Sequence, residues 1–343
     1  MTRLNINIAT GIFVALLLMC IVASILLGAM MLPLQEVVVS LWQSINHQPI
    51  TYPLAELVVL DLRLPRTLTA LLVGASLAAA GVVMQGLFRN PLADPSLLGV
   101  SSGASLGAVC VIVFAAQLPA IWLPYLLPLG AFVCGSSVTY LVYRIASVAG
   151  RSDTALLLLA GIAINAMASA GIGLMSYIAD DAALRDLTLW SMGSVSKSSW
   201  LAIGVSAPIL IISTAWLLRY RKALNALAMG ESVAYHIGHD IKKIKPMILL
   251  LTTLIVSTAV SISGIILFVG LVVPHLLRII IGVDHRFLLP LSMVFGATVL
   301  LLADIIARLA VPPAELPIGL IMALVGGPFF LFLLIQQRSR LLR

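Results

Sequence analysis

Apolar stretches about as long as a bilayer is thick recur along the whole chain. They fall near residues 10–31, 65–86, 96–116, 122–145, 154–178, 200–218, 246–262, 265–281, 288–310 and 317–335, separated by polar, charged or proline-rich punctuation. A helix crosses the hydrocarbon core with roughly 20 apolar residues. In lipid, a spanning segment must satisfy its backbone hydrogen bonds internally. The ten runs therefore predict an all-α integral membrane protein of ten spans. Composition agrees: 61% of residues are hydrophobic and 10% charged, whereas soluble domains carry about 25% charge. Residues 246–281 hold almost no charge and are too long for one upright span, and Ser261, Ser263 and Gly264 supply a turn where they divide. The first run is too long for a signal-peptide core and lacks a small-residue cleavage pattern, so it is expected to remain as the first span.

Basic residues in short loops stay on the cytoplasmic side. With the N-terminus inside, fifteen of the twenty Lys and Arg residues face the cytoplasm, leaving Arg63, Arg66, Arg185, Lys197 and Arg308 outside. The reverse orientation would invert that ratio. Both termini are thus expected in the cytoplasm. The net charge of +7 becomes a topology signal, and no nucleic-acid partner is expected. Cys20, Cys110 and Cys134 lie within apolar runs, with no disulfide framework and no metal-ligand spacing.

Small residues mark places where helices approach. Gly99, Gly103 and Gly107 form a ladder, and Gly74 to Gly81 encloses four alanines. The longest polar connection, about 219–245, mixes apolar and polar residues, is broken by Gly230 and Gly238, and ends on Lys242, Lys243 and Lys245. It reads as two short helices outside the lipid, serving either as a docking surface or as a solvated basic anchor.

Few motifs carry chemistry. No phosphate-binding Gly-x-x-x-x-Gly-Lys-Ser/Thr occurs, and none of the five lysines follows a glycine, so ATP-driven work needs a separate ATPase. Arg63-Leu64-Pro65-Arg66 opposes the charge asymmetry at the outer mouth of the second span. It suits either a carboxylate-bearing partner or interfacial snorkelling. Asp304 and Arg308 stand at i and i+4 on the ninth span and suit a structural pair. An unpaired Asp304 would instead suit an ion-coupled secondary transporter. His275 and His285 flank one cytoplasmic end and are candidates for haem contact, although a lone histidine at a helix end is more often structural. No Ser-His-Asp, paired-carboxylate or zinc-protease arrangement is present, so the chain is not expected to be an enzyme.

Several motifs occur in one order: Arg63-Leu64-Pro65-Arg66, Phe88 to Pro95 (Phe-Arg-Asn-Pro-Leu-Ala-Asp-Pro), Leu159 to Ala163, Leu227 to Glu231, Phe268 to His275, Asp284-His285-Arg286 and Ala314 to Pro317. Together, over about residues 55–335, they resemble the permeases of bacterial iron-siderophore, haem and vitamin B12 ABC importers of the type II class, and most of all the haem permeases of Gram-negative bacteria. The resemblance implies one transmembrane permease domain over 1–343 in the bacterial inner membrane. It also implies a second copy of the chain, two cytoplasmic ATPase subunits that hold ATP and Mg, a periplasmic binding protein, and no cofactor or metal in this chain. By the same resemblance, Arg63, Arg66 and Arg308 would dock the binding protein, while Asn90, Leu92 and Thr154 would form the cytoplasmic gate. Leu227, Gly230, Glu231 and Gly238 would belong to the helices that contact the ATPase.

Overall fold

The computed structural model describes residues 5–117, 119–148, 151–152, 154–312 and 314–341. Its helices are α1 (Ile6–Leu26), α2 (Leu34–Ile45), α3 (Pro53–Glu56), α4 (Leu64–Leu87), α5 (Val100–Val113), α6 (Leu123–Ala146), α7 (Thr154–Ile178), α8 (Asp181–Ser191), α9 (Trp200–Leu217), α10 (Arg221–Ala228), α11 (Glu231–His236), α12 (Ile241–Ser263), α13 (Val269–Ile280), α14 (His285–Leu309) and α15 (Ile318–Leu341). Ser147–Val148 and Arg151–Ser152 form a two-residue antiparallel pair between α6 and α7.

Seven helices or helix runs are long and apolar enough to cross a membrane, and three shorter apolar helices complete the ten anticipated runs. The chain divides at Gly264, between α12 and α13, as the serines and glycine there suggest. Because α5 and α13 have only 14 and 12 residues, neither crosses roughly 30 Å alone. Backbone outside the α-helices at 88–99, which includes a 3₁₀ turn at Pro95–Leu98, and at 264–268 adjoins these short helices, as a bundle tolerates where protein covers the backbone.

Burial sorts the helices into layers. The apolar windows of α4, α12 and α14 are 78%, 72% and 61% buried, whereas that of α7 is 17% buried. Packing therefore centres on α4, which meets α14 along its length and also touches α9, α12 and α13. The small-residue ladder of α5 lies against α6, with Gly103 facing Val138 and Gly107 facing the Gly130 backbone.

Helix α4 is preceded without a break by Leu57–Arg63, wound as a π-helix in which the Leu64 amide donates to the Val59 carbonyl. Pro65 lies just beyond it. Proline lacks an amide hydrogen and crowds the carbonyl four residues back. The wider winding accommodates that proline without ending the helix, and it sets Arg63 and Arg66 beside α1 and α14.

Candidate functional sites at the two ends of the bundle

Helix α1 ends on an extended Leu27, and the Gly28 after it does not take the left-handed conformation that closes many helices, so the last carbonyls need donors from elsewhere. Arginines supply them. Arg63 donates from Nη1 to the carbonyls of Ile25 (2.7 Å) and Leu26 (2.8 Å), and from Nη2 to that of Met30 (2.6 Å). Arg308 donates from Nη1 to the carbonyls of Ser24 and Leu27, each at 3.0 Å, and from Nη2 to Ser24 Oγ at 2.9 Å. The Leu27 amide takes the remaining carbonyl, that of Ala23. Guanidinium groups also suit the negative end of the helix dipole.

Arg66 completes the cluster. Its Nε donates to Asp304 Oδ1 at 2.7 Å and its Nη1 to both Glu315 oxygens at 2.9 and 2.8 Å. Arg308 Nη2 lies 2.9 Å from Asp304 Oδ2. Arg63, Arg66 and Arg308 are 4%, 8% and 3% exposed, and Asp304 is fully buried. The expected pair of Asp304 with Arg308 is present, enlarged by Arg66. The three arginines are neither snorkelling nor free cations, because every guanidinium is engaged inside the bundle. Three cations against two carboxylates leave one excess positive charge.

At the opposite end, the 219–245 connection forms the two short helices that its glycines suggest. Gly230 and Gly238 adopt φ of +121° and +94°, which glycine reaches without strain, and they terminate α10 and α11. Ala223, Leu224, Ala226 and Leu227 of α10 are buried, and α10 packs on α4 and α14. The Asn225 amide nitrogen donates to Asp284 Oδ1 at 2.7 Å, and its oxygen accepts from the His285 backbone at 2.9 Å. Partial burial would raise the Asp284 carboxyl, but hydrogen bonds from the Arg286 amide and Asn225, with the Arg286 charge, hold it below the ordinary carboxylate range. Lys245 Nζ reaches Glu231 Oε1 at 2.5 Å and is 9% exposed, so it is a tether rather than part of a solvated basic anchor.

Leu227 is buried against the bundle, and Glu231, itself exposed, ties the connection to α12 through Lys245, while Met229, Val233, Tyr235 and Ile237 are exposed at 63%, 38%, 69% and 58%. These four projecting residues escaped the sequence reading. Their signal was available as apolar side chains flanking two glycines in a polar connection.

Of the expected gate residues, Asn90 is exposed and its Oδ1 accepts from the Leu92 amide at 2.9 Å; Leu92 is half-buried. Thr154 opens α7, and its side chain lies outside the described residues. The 88–99 segment and the start of α5 meet α7 at Gly161 and Asn165. A Cβ on Gly161 would lie 1.9 Å from the Leu97 carbonyl oxygen, and Ser102 hydrogen-bonds Asn165. The break before α13 joins this region, because Asp94 Oδ2 lies 3.5 Å from where a Gly270 Cβ would stand. Residues of both breaks, including Asp94, Ser96 and Phe268, line a cavity of about 30 Å³, room for about one water.

His285, a candidate for haem contact, is packed inside the bundle. It is 5% exposed, Nδ1 lies 2.9 Å from Asn225 Oδ1, and Nε2 lies 2.8 Å from the Cβ position of Gly86. His275 is half-buried with its ring edge-on to Phe329, centroids 6.0 Å apart.

An apolar bundle with broken helices, an ion-paired cluster at one end and a projecting helical connection at the other defines a membrane transport subunit. A model of the FecCD transport family matches residues 16–336, and the chain belongs to this family. It is 40% identical to the hemin transport system permease protein HmuU of Yersinia pestis over 338 residues, 98% of each chain. It is 39% identical to the vitamin B12 import system permease protein BtuC of Vibrio parahaemolyticus over 318 residues, 93% of each chain. A solved structure described as an inward-facing conformation of a metal-chelate type ABC transporter superposes with TM-score 0.83 and 33% identity, covering 96% of this chain and 99% of that one. The chain is therefore a multi-pass permease of the ABC importer class and not an ATPase.

Proposed function

We propose that this permease carries haem across the bacterial inner membrane. The observation that carries the reading is the 40% identity to a hemin permease along 98% of both chains. The cobalamin permeases, nearly as similar over less of the chain, supply the second reading. Reconstituted with its ATPase and binding protein, the complex should hydrolyse ATP faster when the binding protein carries haem than when it carries cobalamin or a ferric siderophore. Equal or greater stimulation by cobalamin would transfer the assignment.

The working assembly in this proposal contains two copies of the chain, two ATPase subunits that bind ATP and Mg in the cytoplasm, and a periplasmic binding protein. Two copies are supported by α7, which is 17% buried in the single chain yet contains Asn165, Ser169 and several small residues. The charge asymmetry assigns the 219–245 connection to the cytoplasm and the arginine cluster to the periplasm. Release then passes the 88–99 segment, with Asn90 and Leu92 on its cytoplasmic arm.

For ATPase contact we assign the exposed Met229, Tyr235 and Ile237, held in place by Leu227, Gly230, Glu231 and Gly238. Met229→Glu with Tyr235→Glu should reduce ATP-driven transport at least tenfold. Exposed substitutions typically shift stability by about 0.5 kcal/mol or less, so the melting temperature in detergent should hardly move. Transport at the wild-type rate would remove this surface from the coupling path.

For binding-protein docking, Arg66 is the member of the cluster open to exchange. Its partner Glu315 keeps 31% of its side chain exposed, whereas Arg63 and Arg308 cap α1. A carboxylate on the binding protein would displace Glu315 from Arg66. Glu315→Gln should therefore tighten binding-protein affinity severalfold and Arg66→Gln weaken it, as measured by titration in nanodiscs. Unchanged affinity in both would exclude this exchange.

A further inference from the structure

Helices α1, α4, α9 and α14 do not close against one another everywhere. They leave a crevice of about 380 Å³ whose walls include Leu17, Leu71, Leu72, Leu210, Met293 and Val294. Only two lining groups are polar. Ser76 donates to the Leu72 carbonyl, and Thr214 Oγ1 has no partner among the described residues.

The crevice runs lengthwise in the bundle. Leu218, at the foot of α9, forms one end, and Leu71, in the opposite half of α4, forms the other. Ile211 of its lining is 56% exposed, and beside it on α9 Ile212 and Trp216, outside the lining, are 60% and 45% exposed, so the crevice reaches the bundle surface at α9. All four helices count among the apolar spans, so the opening faces hydrocarbon. A groove this apolar has no affinity for water, and its size falls in the range that holds small ligands.

Charge identifies what fills it. Directly beyond Leu218 come Arg219, Arg221 and Lys222, all exposed and without an ion pair among the described residues. The exposed Trp216 stands one turn before them, where an aromatic ring suits the headgroup boundary. A hydrocarbon slot that ends on three unpaired cations matches one chemistry, a lipid tail joined to a phosphate.

We propose that an anionic membrane phospholipid seats here, with one acyl chain in the crevice and its phosphate on the Arg219, Arg221 and Lys222 group. The same cations begin the 219–245 connection, so the lipid fastens the foot of α9 beside the helices that project from the bundle.

The test uses the full-length chain in nanodiscs containing equal phosphatidylglycerol and phosphatidylcholine, with lipid retained after release read by native mass spectrometry. Wild type should keep one phosphatidylglycerol per chain and favour it over phosphatidylcholine by about tenfold or more. Substituting Arg219→Gln, Arg221→Gln and Lys222→Gln together should erase the preference while leaving some tail binding. Filling the crevice by Ala75→Phe with Ala215→Phe should lower retention of both lipids severalfold. Equal retention of the two lipids by wild type, or a preference that survives the triple substitution, would overturn the proposal. So would a disulfide between two chains through Ala215→Cys, because a second copy would then occupy the crevice. The triple substitution lies on exposed positions, so its outcome still decides the matter where the filled variant fails to fold.

Discussion

Asp304→Ala should destabilise the permease by about 3–5 kcal/mol, the range measured when one partner of a buried ion pair is removed. The carboxylate is fully buried, and its two oxygens separately face Arg66 at 2.7 Å and Arg308 at 2.9 Å. Removing it leaves two guanidiniums close together where water cannot reach them. Arg66 would keep Glu315 alone, and Arg308 would keep Ser24, the carbonyl of Leu27 and a long 3.5 Å bond to the backbone carbonyl of residue 304. Since Arg308 also caps α1, the loss should spread to the first helix. Asp304→Asn keeps the volume and one acceptor but turns an NH₂ group toward a cation, so it should fall between wild type and alanine. Thermal unfolding in detergent measures both variants. An Asp304→Ala protein that melts with wild type would show that the cluster does not hold α1 to α4 and α14. The same geometry weighs against Asp304 as the coupling carboxylate of a secondary transporter, because neither oxygen is free for an ion.

The ten apolar helical runs, seven of them long enough to cross a membrane, were legible because length and hydropathy are one-dimensional properties. The division at Gly264 was legible for a related reason, since serines and a glycine interrupt an otherwise continuous apolar run. Short-range charge pairing was readable too, as Asp304 and Arg308 stand one helical turn apart. Sequence could not show that Arg66 shares the same carboxylate across 238 positions, or that Arg63 spends its donors on α1. Spacing reveals a pair within a helix and is silent about pairs between helices. For the same reason the outer arginines looked available to a partner when tertiary contacts in fact engage them. In the 219–245 connection the glycines located the helices correctly. They could not say which face points inward, and it is Leu227 that is buried and Met229 that is exposed. For the π-helical turn, Pro65 was the single trace, and it marks a disturbed helix without saying which winding absorbs it.

Gly81→Val tests one of the two closest glycine approaches among the described residues and should cost about 3 kcal/mol or more, at the upper end for overpacked cores. A Cβ at Gly81 would stand 1.9 Å from the Gly270 carbonyl oxygen and 2.5 Å from two further Gly270 backbone atoms. No side-chain rotation relieves a clash with backbone, so α4 and α13 must move apart. That separation would also stretch the bond from Gln85 Nε2 to the Gly270 carbonyl, now 3.1 Å, and disturb the Arg278 contact on Gln85. Because α13 follows the break at 264–268 and Asp94 lies beside Gly270, displacement reaches the region where the two breaks meet. Transport should therefore fall further than stability alone requires. Gly204→Ala is the matched control: it is helical, on α9, with no atom within 4 Å of the added carbon. Alanine there should be neutral or stabilising by up to about 1 kcal/mol. Melting temperature and transport measured on both variants separate the contributions, since a general intolerance of glycine replacement would lower both proteins alike. A Gly81→Val protein with wild-type stability would mean that α4 and α13 are not held at this distance in the membrane.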